Sequence, residues 1–553
     1  MIRRARLIWT WFGLHQSVVV IALAASVTAS TIAFGPRAVG GADEYGYASQ
    51  ADLWLTGRLS IEQPFVRQLP WRRAEWAFTP LGYRPHPHDP AVIVPVYSPG
   101  LPLLLALAKL AGGQTAMFVV VPIAAGLLVL GTHRVGQRLN AGAAATAAAW
   151  LVATSPVVLF MATSTMSDVP VATAWTWAWA MVLGTTVWSS VGAGALSGFA
   201  VLIRPNLAPL VCVLALHYLL LVRHAALRRQ GIAQLAAFTF AALPGIAAVA
   251  AINANLYGSP FSSGYGALSD LFAWSRVPTN ARLYLLWLAE AHTPVALGGL
   301  AAVLLPFRAL WPGVPDRGTR AAIAIFVVVV WLICCAWLVF GAWWFARFLL
   351  ASWPFIMLGV GGVAAAVYRV SPGRLRPIVI AVVIALGVYQ FTFAVDGHAF
   401  EARENRRRFV AAARVVRSQT GENSAIVSLD HNGSIRYYGG RMTINYEALP
   451  RGTALDDIVA WLDARGVRTY LAVEDWELPE IKSRFVGSRC LIAIDRPPVA
   501  ISERPGRLLL FDLTAPRPPE AKPVVEADMD IGSGAARPVP LPRLVLTEKP
   551  VTR

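Results

Sequence analysis

Residues 17–54 read SVVVIALAASVTASTIAFGPRAVGGADEYGYASQADLW. From Ser17 to Phe34 the run is uncharged and long enough to cross the hydrocarbon core of a bilayer as a helix. Asp43 and Glu44 follow it closely. Two adjacent carboxylates therefore stand at the rim of a membrane, and the side they face decides what they can do.

The rest of the chain agrees with that reading. Of 553 residues, 56% are hydrophobic and only 14% are charged, with a mean hydropathy of +0.54. A soluble protein of this length carries far more surface charge, so the fold class is a polytopic α-helical membrane protein. About eleven spans are expected, near 18–34, 115–131, 141–161, 169–188, 190–203, 205–222, 234–254, 294–309, 321–341, 347–368 and 376–395. The net charge of +17 sits mostly in short clusters between apolar runs, the pattern of membrane loops and not of a nucleic-acid surface. Cys212, Cys334 and Cys335 lie in apolar runs and Cys490 in a polar one, which excludes a disulfide framework or a zinc spacing. The basic start MIRRAR lacks a convincing cleavage site and reads as a retained signal anchor.

Charge gives the orientation. With RRAR in the cytoplasm, the loops on that side are THRVGQR, WSSV, VRHAALRRQ, PFRALWPGVPDRGTR and YRVSPGRLR. All but the shortest are strongly basic, as the positive-inside rule requires. The opposite side receives the long first loop 35–114, the TSTMSDVP turn, Arg204, the 255–293 loop, the GAWWFAR turn and everything after 395. The stretch YSPGLPLLLALAKLAGG (97–113) is short and opens with prolines, so an interfacial or re-entrant segment is expected. Residues 396–515 alternate strand and helix patterns and are expected to form a small extracytoplasmic α/β domain. Residues 516–553 are proline-rich and expected to be a disordered tail. The sequence carries no internal repeat.

Several chemically capable residues share the outer side. Asp43 and Glu44, with Tyr45 and Tyr47, lie in the first loop; Asp168 lies in STMSDVP; Arg204 and Arg347 lie at outer span ends. An arginine fork binds phosphate oxygens bidentately, and a carboxylate can take a proton from an attacking hydroxyl. Each residue also has a plain structural use: Asp168 can cap the following helix, and the arginines can reach lipid headgroups. In YRPHPHDP, His86, His88 and Asp89 are candidate ligands for a divalent metal, set against an ordinary extended loop. NLYGSPFSSGYG (255–266), which contains Tyr265, is either a mobile substrate loop or a connection, and its glycines do not form a nucleotide-binding pattern.

In chain order, DEYGYASQADLWLTGRL, YSPGLPLLLAL, STMSDVP, GFAVLIRPNL, NLYGSPFSSGY and FARFLLASWPF resemble the GT-C integral-membrane glycosyltransferases. The resemblance is to the bacterial branch related to protein O-mannosyltransferases and lipopolysaccharide-core galacturonosyl- and aminoarabinosyltransferases, and it covers residues 1–395. It implies a bacterial plasma-membrane enzyme that moves a sugar from a polyprenyl-phosphate donor to an acceptor hydroxyl on a glycan, lipid or protein at the extracytoplasmic face. It implies Asp43 as the general base with Glu44 beside it. Asp168 falls at a second acidic position, where many relatives carry glutamate. Arg204 and Arg347 become donor-phosphate ligands, with Tyr47 and Tyr265 as further substrate contacts. No cofactor is required by this reading beyond a divalent metal whose need stays open. DHNGSIRYYGGR (430–441) is a weaker candidate for touching acceptor. A lipid-linked sugar flippase is the alternative, although such carriers place ionisable groups near the midplane and show repeated halves.

Overall fold

The computed structural model describes residues 16–223, 227–305, 317–503, 506–526 and 534–547. The MIRRAR start, most of PFRALWPGVPDRGTR and part of VRHAALRRQ lie outside the described residues.

Each of the eleven expected spans overlaps helix among the described residues, though the bounds shift and not all are long. Seven helical stretches among the described residues are long and apolar enough to cross a membrane. They are α1 (Gln16–Phe34), Val120–Arg138, Pro205–Val222, Arg228–Tyr257, Arg317–Ala336, Trp343–Val370 and Arg376–Asp396. A bent pair, Ala143–Ala153 and Pro156–Ala162, at 53° to one another, makes an eighth if the two helices form one span. Pro156 lacks a backbone donor, which breaks the ladder there. Asp168–Val182, Val187–Ile203 and Val295–Leu304 are the shorter three. A further helix, Val277–His292, lies in what reads as an outer loop.

The bundle is closed by small residues. A Cβ on Gly198 would lie 2.7 Å from the Ala242 carbonyl oxygen, and one on Gly194 2.2 Å from that of Phe238. Helices 187–203 and 228–257 therefore meet backbone to backbone, the contact that small residues make possible between apolar helices.

The first loop, residues 35–114, is structured. α1 stops at Gly35-Pro36, and α2 (Gly41–Leu55) starts with Asp43 and Glu44 in its first turn, where the helix dipole favours acids. A three-stranded sheet follows: β1 (Ile61–Glu62), β2 (Tyr83–His86) and β3 (Asp89–Pro95), in the order β1-β3-β2. α3 (Gly100–Met117) is kinked at Gly112-Gly113 and is not among the helices long and apolar enough to span. A two-stranded ribbon, β4 (Ser262–Ser263) and β5 (Gly266–Ala267), carries Tyr265 at its turn.

After the last span, α4 (Ala402–Gln419) leads into a six-stranded mixed sheet in the order β11-β9-β10-β8-β6-β7. Its strands are β6 (Ser424–Ser428), β7 (Met442–Asn445), β8 (Arg468–Glu474), β9 (Ala500–Ser502), β10 (Leu508–Asp512) and β11 (Val524–Glu526). One face of the sheet shares a core with the first loop: Phe65, Val66, Ala77 and Phe78 pack with Val427, Ile444, Leu471 and Phe485. The proline-rich segment expected as a disordered tail lies along this domain where it is described. β11 pairs with β9, Leu544 is buried, and Ala536 N donates to the Arg37 carbonyl at the exit of α1.

Gly198→Leu is expected to destabilise the bundle by about 1–3 kcal/mol or more through overpacking. A fall in the melting temperature of detergent-solubilised protein checks this. Gly298→Ala, with nothing within 4 Å of its new Cβ, is the neutral control.

Candidate active site

Two acids and two arginines that are far apart in the chain meet at the end of the bundle that carries the C-terminal domain. Asp43 Oδ1 accepts from the Tyr97 hydroxyl at 2.5 Å, and its Oδ2 lies 3.4 Å from Arg347 Nη2. Arg347 Nε is 3.8 Å from Asp168 Oδ1, the oxygen that also accepts from Arg204 Nη2 at 2.6 Å. Charge therefore alternates Asp43, Arg347, Asp168, Arg204 across the site. Rings flank the cations: Arg347 stands 5.3 Å and 5.2 Å from the Phe345 and Phe348 centroids, and Arg204 stands 5.5 Å from Phe348.

Exposure separates the roles of the acids. The Asp43 side chain is 37% exposed, whereas that of Asp168 is 0% and that of Glu44 3%. Asp168 begins helix 168–182, and one of its oxygens, Oδ2, is buried without a hydrogen-bond partner. Glu44 is saturated. It accepts from Gly40 N at 3.0 Å, Thr165 N at 3.3 Å, and Arg406 Nε and Nη2 at 2.7 and 3.1 Å. The residue expected beside the base as a catalytic acid thus has no oxygen left to offer, because a buried carboxylate needs this many donors to be tolerated.

The tyrosines divide likewise. Tyr47 is buried and donates to Ser167 Oγ at 3.0 Å, an oxygen that also accepts from Arg204 Nε at 3.1 Å. It orients the Arg204–Asp168 pair and does not face an open space. Tyr265 is half exposed, 6.0 Å from the Tyr97 ring centroid, and stands over the site from the β4–β5 turn. Tyr97 itself was legible only as part of the rigid YSPGLP entry. Burial, and then the charge of Asp43, hold its phenol well above the usual tyrosine range, so it stays a donor.

The metal candidates of the first loop do not converge. His86 ends β2 and Asp89 begins β3, on either side of a hairpin turn. Asp89 Oδ2 accepts from Arg67 at 2.7 Å, its Oδ1 from Ala91 N at 2.9 Å, and His86 Nδ1 from His88 N at 3.2 Å. Asp430, His431 and Glu474 of the C-terminal domain do lie within 4.8 Å of one another. Arg408 already occupies that group, donating to both carboxylates at 2.8–3.0 Å. DHNGSIRYYGGR is likewise not an open acceptor surface. Asn432, Arg436, Tyr437 and Tyr438 are buried against the first loop, with Arg436 donating to Gln63 Oε1 and the Phe78 carbonyl.

No family model matches the chain, and no curated protein matches it by sequence. Solved structures do match. The Archaeoglobus fulgidus oligosaccharyltransferase AglB, in complex with an inhibitory peptide and a dolichol-phosphate, aligns with a TM-score of 0.55 at 13% identity over 92% of this chain and 75% of its own. ArnT from Cupriavidus metallidurans, bound to undecaprenyl phosphate, gives 0.54 at 13% identity over 91% and 99%. The mycobacterial arabinofuranosyltransferase AftD gives 0.51 at 14% identity over 90% and 41%. The chain shares its fold with these solved structures, in line with the polytopic helical fold class expected from the sequence. The likeness extends over 90–92% of this chain, more than the ordered motifs by themselves span.

Arg204→Ala leaves Asp168 with only the longer Arg347 contact. A loss of about 3–5 kcal/mol is expected for an unpaired buried carboxylate, read as a drop in melting temperature. Arg204→Lys, which lacks the planar fork, recovers only part of it.

Proposed function

We propose that this chain is a membrane glycosyltransferase that moves a sugar from a polyprenyl-phosphate donor to an acceptor hydroxyl on the extracytoplasmic face of the bacterial plasma membrane. The observation that carries the reading is the half-open Asp43 carboxylate, held by Tyr97 and facing a guanidinium that is only loosely paired. The polyprenyl phosphates bound to ArnT and AglB support a lipid donor. The basic loops of the opposite face support the orientation.

The chemistry is a direct displacement. Asp43 takes the acceptor's O–H proton as the oxygen attacks the anomeric carbon, and the bond from that carbon to the phosphate oxygen breaks. The leaving phosphate gains negative charge, which a preorganised cation stabilises. Arg347 is the stronger candidate for that cation. Its contacts to Asp43 and Asp168 are long, at 3.4 and 3.8 Å, so phosphate can replace them. Arg204 is committed to Ser167 and Asp168 at 3.1 and 2.6 Å and acts by holding Asp168. A divalent cation does not fit between the two acids, since Arg347 lies within ion-pair distance of both and would have to be displaced.

A flippase reading draws no comparable support, because the ion pairs gather at one end of the bundle. Sugar transfer from undecaprenyl-phosphate-linked sugars in proteoliposomes, against translocation without transfer, separates the two. Asp43→Asn is expected to abolish transfer while leaving insertion and melting temperature unchanged; full activity in the purified variant would overturn the assignment. EDTA is expected to leave transfer unchanged. Loss of transfer that added Mn²⁺ or Mg²⁺ restores would show that a metal, and not Arg347, stabilises the leaving phosphate.

A further inference from the structure

We infer that Arg406, carried by the helix that follows the last span, is a positioning residue for the proposed reaction, and that the C-terminal segment completes the active site. The inference rests on the reading of Asp43 as the base.

Neighbouring residues on a helix point about 100° apart. On α2 this turns Asp43 toward the open site and Glu44 toward the C-terminal domain. Whatever fixes Glu44 therefore fixes the backbone that aims Asp43. Three of the four donors to Glu44 come from elsewhere in the chain. Thr165 N belongs to the turn that delivers Asp168, and Arg406 supplies the two charge-assisted bonds. A single buried carboxylate thus ties together the segment of the proposed base, the segment of the second acid and α4.

The rest of the interface is built to the same end. Arg406 and Phe409 lie one turn apart on α4, and the Phe409 ring is so close under Gly40 that a Cβ there would approach it to 2.1 Å. Val39 N donates to the Tyr438 hydroxyl at 2.8 Å, just before α2 begins. In the second turn of α2, Tyr45 packs on Gly433, where a Cβ would lie 2.5 Å from the ring. At the far end, the Tyr437 hydroxyl donates to Asp52 Oδ2 at 2.6 Å, and Lys109 of α3 donates to Asp52 Oδ1 at 2.6 Å. The C-terminal segment therefore grips α2 at its start, in its second turn and toward its end.

Arg406 also has an electrostatic task. Asp43, Glu44 and Asp168 place three carboxylates in adjoining segments, and the Glu44 side chain is only 3% exposed, so its charge needs a paired cation. Arg406 neutralises the one that does no chemistry.

The test compares wild type, Arg406→Gln, Glu44→Gln and the double variant in proteoliposomes, with Arg407→Gln as a control because that side chain pairs with exposed Glu404. In hydrogen exchange, each single variant is expected to exchange roughly tenfold or more faster at amides 40–47 and 163–168, with the spans and the C-terminal sheet unchanged. The double variant is expected to match the singles, since both remove one interaction. Unchanged protection at 163–168, or additive effects, would overturn the inference, as would general loss of protection in Arg406→Lys. With undecaprenyl-phosphate-linked sugars as probe, Arg406→Gln is expected to lower kcat by roughly 10- to 100-fold with little change in KM. An unchanged kcat also overturns it. Failure of the wild type to cleave any such donor overturns the proposed reaction alone, and the exchange result still decides whether Arg406 positions α2.

Discussion

Arg347 lies within ion-pair reach of two carboxylates that arrive from distant parts of the chain, and the arrangement of the site follows from that shared cation. It sits on the 3₁₀ segment Trp343–Ser352, where residues three apart eclipse, so Phe345 and Phe348 fall on one line beside it. The rings exclude water from the guanidinium without competing for its donors. A cation so placed must have anions near it, and Asp43 and Asp168 supply them. Because neither contact is short, the pairing sets the net charge of the site without filling it. In the proposed reaction, an incoming phosphate would meet a guanidinium that is already aimed and already partly desolvated.

The same physics sorts three chemically similar acids into three uses. Glu44 is enclosed and fully bonded, so it serves as an anchor. Asp168 is enclosed and bonded through one oxygen to Arg204, so it sets the position of the arginines. Asp43 alone keeps substantial exposure, with a tyrosine on one oxygen and a weak ion pair on the other. Only such a group can exchange a proton with a substrate, since a proton acceptor must be reachable before its basicity matters. Their adjacency in sequence made Asp43 and Glu44 look like a pair, whereas the helix turns them to opposite tasks.

Much of this was legible in the sequence, and what was missed has a common cause. Hydropathy and loop charge depend on local composition, so the polytopic helical fold class and the shared placement of Asp43, Asp168, Arg204 and Arg347 could be read directly. Partnerships could not. Asp43 and Arg347 are separated by 304 residues and Glu44 and Arg406 by 362, and nothing local marks one arginine among many in ARENRRRF as the one that reaches α2. Tyr97 was hidden for a related reason: its prolines announce a turn, but not what the hydroxyl meets. In YRPHPHDP, alternate histidines suggested convergent ligands, yet the hairpin turn and Arg67 give Asp89 another partner. The proline-rich tail misled through composition. Prolines exclude helix, but they leave an extended strap free to lie along a sheet edge.

The shared core between the first loop and the C-terminal sheet constrains how the molecule assembles. Phe65 and Phe78 are buried among residues that follow Ser424, so the loop between α1 and Val120–Arg138 has no complete core until the end of the chain is made. The spans can insert one after another, each satisfied within itself. The outer loop cannot, because its apolar side chains and the Glu44 carboxylate are both uncompensated until α4 and the sheet arrive. The first loop's core and the donors to Glu44 are therefore complete only when α4 and the C-terminal sheet are in place.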